Sequence, residues 1–172
     1  MSDFIIRDAS GADAAGIAPI YNQAVLETTA VWNETPSDLV GRARWLADRL
    51  GAGYPVLVAE SAGRVVGYAS FGDFRPFDGY RQTVEDSVYV DPSVQGKGVG
   101  RALLDGLIRR AEAMGKHVMV AGIEAGNAAS IALHAAAGFA EVGRMPQVGG
   151  KFGRWLDLVF MQRVLDDAPA PP

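Results

Sequence analysis

Polar and apolar positions change period several times along the chain, and each change marks an element. Phe4-Ile5-Ile6-Arg7 reads as a short strand. From Asp13 the spacing turns helical, with Ile17, Ile20, Tyr21, Ala24 and Val25 on one stripe. Pro36-Ser37-Asp38 signals a second helix start, followed by Leu39, Ala43, Leu46 and Leu50 as its apolar face, with Gly51 or Gly53 ending it. Pro55 to Glu60 and Val65 to Phe71 read as strands joined by the turn Ser61-Ala62-Gly63-Arg64. A polar and aromatic loop runs from Gly72 to Gln82, and Thr83 to Val90 is a further strand stopped by Asp91-Pro92. Gly98 to Met114 is helical, with Leu103, Leu104, Leu107, Ile108 and Ala111 on one face and Gly115 as its stop. His117 to Ala121 is a strand and Ala128 to Ala137 a helix ending at Gly138. Phe139 to Met145 and Trp155 to Val164 are strands separated by a glycine-rich turn. Antiparallel strands followed by a βαβα segment predict an α/β fold with a mixed sheet and helices on both faces.

Composition narrows the class. The chain has 172 residues, 49% hydrophobic and 21% charged, which suits one domain with a single large core. We assign that domain to residues 1–165 and read the proline-rich, acidic segment 166–172 as a disordered tail. A net charge of −4 argues against a nucleic-acid binder with a wide basic surface. The absence of cysteine excludes disulfides, zinc–thiolate sites and a cysteine nucleophile. Met1-Ser2-Asp3-Phe4 lacks the features of a signal peptide, and no apolar run is long enough to span a membrane, so a cytoplasmic location is expected. His117 and His134 come without a carboxylate cluster, so no metal site is expected.

The chemistry centres on Asp91 to Arg101, which joins a strand to a helix. Gly96, Gly98 and Gly100 alternate there, beside Lys97 and Arg101. Glycines let the backbone approach a ligand, and a helix N-terminus adds unpaired N–H groups and partial positive charge. Phosphate or pyrophosphate is the natural guest. A P-loop is excluded because Arg101-Ala102, not Lys-Ser or Lys-Thr, follows the last glycine. A dinucleotide fingerprint fails because Arg101 stands where its third glycine belongs.

Gln95, Gly98 and Gly100, spaced Gln-x-x-Gly-x-Gly, resemble the acyl-CoA loop of the GNAT N-acetyltransferase superfamily. Further stretches resemble its phosphinothricin and methionine sulfoximine (methionine sulfone) acetyltransferase branch: Thr83 to Val90, Asn127-Ala128-Ala129-Ser130 with Leu133-His134 and Gly138-Phe139, and Lys151 to Asp157. The resemblance covers about Phe4 to Asp166. It implies a splayed acyltransferase fold, acetyl-CoA as co-substrate, no metal, and a homodimer. It places CoA contacts at Val88, Tyr89 and Val90, at Gly96, Lys97, Gly98, Val99, Gly100 and Arg101, and at Asn127. It places acceptor contacts at Arg75, Pro76 and Phe77 and at Glu85, Asp86 and Ser87.

Acetyl transfer to an amine needs a base, and a proton for the departing thiolate. With no cysteine to carry the acetyl group, direct attack is the simplest route. Glu85 is the candidate base: it lies in a strand among apolar neighbours, where burial raises a carboxyl pKa. Alternation puts it on one strand face with Thr83 and Ser87, opposite Val84, Asp86 and Val88. Many superfamily members carry a tyrosine as general acid near Leu133-His134-Ala135; this chain has none there, and His134 is the alternative. Asn127 equally suits a plain helix N-cap. Arg75, Phe77 and Arg81, with Glu27 at the end of the first helix, suit an amino-acid acceptor: a cation for its carboxylate, an acid near its amine, an aromatic wall. Trp155 and Asp157 suit packing or a dimer interface as readily as chemistry.

The expected activity is acetyl transfer to the α-amine of a small amino-acid analogue, a detoxification. Two rivals stay open: a protein or peptide N-acetyltransferase, and a non-catalytic acyl-CoA-binding module.

Overall fold

A computed structural model describes residues 4–171. Seven strands form one sheet: β1 Ile5–Asp8, β2 Val56–Ser61, β3 Arg64–Asp73, β4 Thr83–Val90, β5 Val118–Glu124, β6 Ala140–Lys151 and β7 Arg154–Val164, in the order β1-β2-β3-β4-β5-β7-β6. Only the β4–β5 pair is parallel. The helices are α1 Ala14–Glu27, α2 Leu39–Gly51, α3 Val99–Ala113 and α4 Ala128–Ala136.

The period-two pattern of β2 sorts the layers. Val56 and Val58 face α1 and α2, together with Ile17, Ile20 and Leu46. Leu57 and Ala59 face the other way, into the larger core built on Leu103, Leu104, Leu107 and Ile108 of α3. Burying each such leucine stabilises the fold by on the order of 2 kcal/mol. The α3 face is the predicted one. The α2 face is not: Leu39 and Leu50 are exposed, and the helix buries Arg42 with Leu46. The Arg42 guanidinium lies 4.0 Å from the Tyr21 ring centroid and 4.5 Å from that of Trp45, so stacking supplies what a leucine was expected to. The start of α2 is as read, since the Asp38 carboxylate accepts the Gly41 N–H at 2.7 Å.

The glycine-rich segment after Met145 is strand, not turn. β6 runs on to Lys151 and only Phe152-Gly153, both at positive φ, make the hairpin turn. An irregularity between Met145 and Gly149 absorbs the extra residues. There the Asp157 carboxylate accepts the Gln147 N–H at 2.8 Å, and the Trp32 ring lies against Gly149. Near the C-terminus His117 Nδ1 bonds the Asp166 carboxylate at 2.6 Å, and residues 166–171 carry no helix or strand. Met1–Asp3 and Pro172 lie outside the described residues. Among the described residues no helix is long and apolar enough to cross a membrane.

Candidate active site

The parallel pair β4–β5 is short. Only Thr83, Val84 and Glu85 pair with Val118, Met119 and Val120. Beyond that point β4 continues against β3 and β5 against β7, so the two strands part. The wedge between them is a cleft of about 820 Å³ whose walls include Asp86 to Val90 on one side and Ala121 to Glu124 on the other. Strand edges facing a cleft offer unused N–H and C=O groups to an extended ligand.

The glycine-rich loop closes one end. Gly96 and Gly98 sit at φ 75° and 84°, and a Cβ on either would meet nothing within 4 Å. Their conformation demands glycine, while the space before them is open. The first bond of α3 runs from the Ala102 N–H to the Gly98 carbonyl. The amides of Gly96, Gly98, Val99, Gly100 and Arg101 have no acceptor among the described residues. Five free donors at a helix N-terminus suit a pyrophosphate. Gly96, Gly98, Gly100 and Arg101 line the cleft, whereas the Lys97 side chain turns back to the Ser93 carbonyl at 3.2 Å. Arg101 is shared: its guanidinium bonds Asp105 at 2.9 Å and the Ala136 carbonyl at 2.9 Å. Val88, Tyr89 and Val90 are all wall residues, with Tyr89 stacked on Tyr68 at 5.1 Å. Asn127 caps α4, its Oδ1 accepting the Ser130 N–H at 3.1 Å, and also faces the cleft. Cap and ligand contact are compatible roles.

Glu85 stands where the two strands part. Its carboxyl reaches across to β5, so that a Cβ on Gly122 would lie 2.9 Å from Oε1. Burial raises its pKa, the Arg75 charge lowers it and Asp86 raises it, for a net upward shift. Arg75 is therefore within electrostatic reach, though its guanidinium lies 4.3 Å from the Phe74 ring centroid and bonds the Phe74 carbonyl. Glu85 itself, Arg75, Pro76, Phe77 and Arg81 lie outside the lining of this cleft, and Phe77 is 70% exposed. Glu27 and Ser87 are wall residues.

Asp86 points away from Glu85, as alternation requires, and is buried against α4. Its Oδ2 lies 3.0 Å from His134 Nε2, while His134 Nδ1 donates to the Ser130 carbonyl at 2.8 Å. A carbonyl can only accept, so Nδ1 carries a proton, and a bare Nε2 lone pair would then repel the carboxylate. One further proton must lie between Nε2 and Oδ2. Burial works against a charged ring, but the Asp86 bond and charge and the Ser130 carbonyl outweigh it, and the His134 pKa is raised. Asp86 Oδ1 is buried without a partner. The pair borders the cleft, so a stored proton sits at its wall.

Sequence reasoning missed part of the site. Glu124 accepts the Thr29 hydroxyl at 2.9 Å and the Gly126 N–H at 2.9 Å, closing the far end. Phe152, from the hairpin turn, and Arg154, which opens β7, complete that end. Their stretch resembled the branch motif, but no local pattern announced a contact with α1.

A splayed parallel pair, a glycine loop of free amides and a half-buried carboxyl where the strands part define an acyl-CoA-dependent transferase. The model of the acetyltransferase (GNAT) family matches residues 17–139, and the chain belongs to that family. It is 61% identical to the L-methionine sulfoximine/L-methionine sulfone acetyltransferase of Pseudomonas aeruginosa, over 97% of this chain and 98% of that one. It is 44% identical to the phosphinothricin N-acetyltransferase of Alcaligenes faecalis, over 94% and 81%. The structure of a putative acetyltransferase from Salmonella typhimurium with its cofactor acetyl-CoA superposes with a TM-score of 0.96 at 59% identity, covering 99% of this chain and 98% of that one.

Proposed function

We propose that the protein transfers the acetyl group of acetyl-CoA to the α-amine of a small amino-acid analogue, methionine sulfoximine or methionine sulfone first and phosphinothricin next. The names of the relatives support this acceptor class. The observation that carries it is the Glu85 carboxyl, raised in pKa where β4 and β5 part and reaching towards Gly122, a wall residue of the cleft. Such a carboxyl takes a proton from an ammonium or attacking amine near neutral pH, directly or through a water.

The free amides of Gly96 and of Gly98 to Arg101 hold the pyrophosphate, and the edge Val88 to Val90 pairs with the extended arm, to which Asn127 offers its amide. The amine forms its bond to the acetyl carbon as the carbon–sulfur bond breaks. The proton shared by Asp86 and His134 goes to the departing sulfur, and bulk water returns it. Arg75 and Glu27 act on the acceptor's charged groups from opposite ends. Acetylation removes the positive amine and with it the analogue's resemblance to an amino acid, which is the chemistry of detoxification. The reading is of a cytoplasmic enzyme.

The protein works as a homodimer in this reading. Val142, Met145, Val148, Phe152 and Trp155 are all exposed along the β6–β7 hairpin, with Trp155 at 71%. Exposed apolar side chains concentrated on one hairpin suit a second copy of the same chain. Light scattering of wild type and Trp155→Glu checks it: a dimeric mass falling to 18.2 kDa is expected.

Release of free thiol from acetyl-CoA tests the activity, against methionine sulfoximine, methionine sulfone, phosphinothricin, ordinary amino acids and short peptides. The lack of cysteine keeps the background low. Turnover with the sulfoximine or sulfone at kcat/KM on the order of 10⁴ M⁻¹s⁻¹ or more is expected. Turnover with peptides alone would overturn the acceptor assignment.

A further inference from the structure

Lys151 ends β6, is 2% exposed, and reaches none of the reacting groups described above. Its ammonium donates to three main-chain carbonyls: Val25 at 2.5 Å, Thr28 at 2.7 Å and Val31 at 2.5 Å. An ammonium has three N–H donors and no acceptor, so its hydrogen-bonding capacity is used in full. Val25 and Thr28 end α1, where a helix leaves carbonyls unpaired and carries partial negative charge. Val31 lies in the loop beyond.

Burying a cation is costly, and here burial does push the ammonium's pKa down, with Glu34 opposing. An ordinary helix end needs no such group, since water or a glycine turn satisfies its carbonyls. What the lysine adds is a link across the cleft. Glu27, Thr28, Thr29 and Ala30 line one side of its far end, and Phe152 and Arg154 belong to the other. Lys151 precedes Phe152 directly, and its Nζ lies 4.8 Å from the Phe152 ring centroid. The Trp32 ring against Gly149 joins the same two pieces a second time.

We propose that Lys151 is a positioning residue for the acceptor: its ammonium ties the segment after α1 to the β6–β7 hairpin and so fixes the width of the acceptor end of the cleft. The assignment rests on the acceptor reading above. CoA binding, held by the opposite end, is independent of it.

The test compares wild type with Lys151→Met, which keeps an unbranched apolar stem and removes the donors, and Lys151→Arg, which keeps the charge but offers planar donors. The KM for methionine sulfoximine rises about tenfold or more in both, while the KM for acetyl-CoA stays within about twofold. Discrimination between the sulfoximine and phosphinothricin shrinks, because a looser end fits both. Hydrogen–deuterium exchange speeds up in residues 26–34 and not in α3. An unchanged acceptor KM, or equal loss for both substrates, overturns the proposal. Should Lys151→Met fail to fold, Lys151→Arg and Lys151→Ala supplemented with propylammonium decide: saturable recovery of acceptor KM supports the tie, and no recovery with normal exchange in residues 26–34 sinks it. A wild-type protein inactive on every acceptor would instead remove the acceptor reading, and the exchange comparison would still decide whether Lys151 ties the loop.

Discussion

The Glu85 carboxyl crowds the place where a side chain on Gly122 would begin, with Oε1 only 2.9 Å from that position. Carboxyl and glycine face each other where the strands, after pairing over three residues, part. The absence of a Cβ at 122 is thus part of the positioning of Glu85. Gly122→Ala should push the carboxyl aside and lower kcat by about tenfold or more, while Glu85→Gln lowers it about 10²-fold or more. Calorimetric binding of acetyl-CoA to Glu85→Gln should stay near wild type. Full turnover of Glu85→Gln across the pH range would remove it as the base.

Arg75 tests the same carboxyl from the other side. Glu85 must be ionised to accept a proton, so kcat/KM falls as pH drops through its pKa. Burial raises that pKa and the Arg75 charge partly offsets the rise. Arg75→Ala therefore moves the acidic limb of the profile to higher pH, so activity at about pH 6 falls more than at about pH 8. The acceptor KM should also rise more than that of acetyl-CoA. An unmoved acidic limb would mean that the two charges do not communicate.

The buried pair of His134 and Asp86 makes a stability prediction with a definite sign. The folded-state pKa of His134 is raised, by the Asp86 bond and charge and the Ser130 carbonyl acting against burial. A raised pKa stabilises the fold fully below the unfolded histidine value of about 6.5, and this contribution is lost as pH rises through the folded pKa. Asp86→Ala removes the partner of a fully buried ring and should cost about 3–5 kcal/mol near pH 6, less at alkaline pH. Urea unfolding from about pH 5.5 to 9 measures the difference. A gap that grows with pH would reverse the sign and contradict a protonated His134. Turnover of Asp86→Asn adds a kinetic check, since the amide cannot hold the shared proton.

What the sequence made legible follows from the range of each interaction. The α3 face, the glycine turn into that helix and the alternation that separates Glu85 from Asp86 are encoded within a few neighbouring positions, and the structure has all three, with Gly96 and Gly98 at positive φ. β6 did not, because its glycines look like a turn until Trp32, over a hundred positions earlier, is seen lying against Gly149. The apolar face of α2 was misplaced for the same kind of reason, since only the folded chain brings Tyr21 under Arg42. Within the site, Glu85, Asn127 and His134 could each be nominated singly, but not the bond from Asp86 to His134, 48 positions apart. The clasp of Lys151 on Val25 spans 126 positions and leaves no periodic trace. The loop from Arg75 to Arg81 is the reverse case. Its composition advertised a pocket wall, yet in this chain it lies outside the cleft lining, with the Arg75 charge within reach of Glu85.

Gly98 separates ligand binding from folding most cleanly. It stands at φ 84° at the start of α3, yet a Cβ there would touch no protein atom within 4 Å. Alanine at 98 therefore costs only the strain of a left-handed residue, about 1–2 kcal/mol, with no packing penalty. The new methyl group or the relaxed backbone, however, disturbs amides that have no protein acceptor and that suit an anion. Gly98→Ala should thus lower Tm by only a few degrees while weakening acetyl-CoA binding by about tenfold or more, with the acceptor KM little changed. Isothermal titration with CoA, and with dephospho-CoA and pantetheine as controls, locates the loss. If the loop holds the pyrophosphate, CoA and dephospho-CoA lose affinity alike and pantetheine, which lacks it, loses none. Equal loss for pantetheine would move the defect to the strand edge of Val88 to Val90.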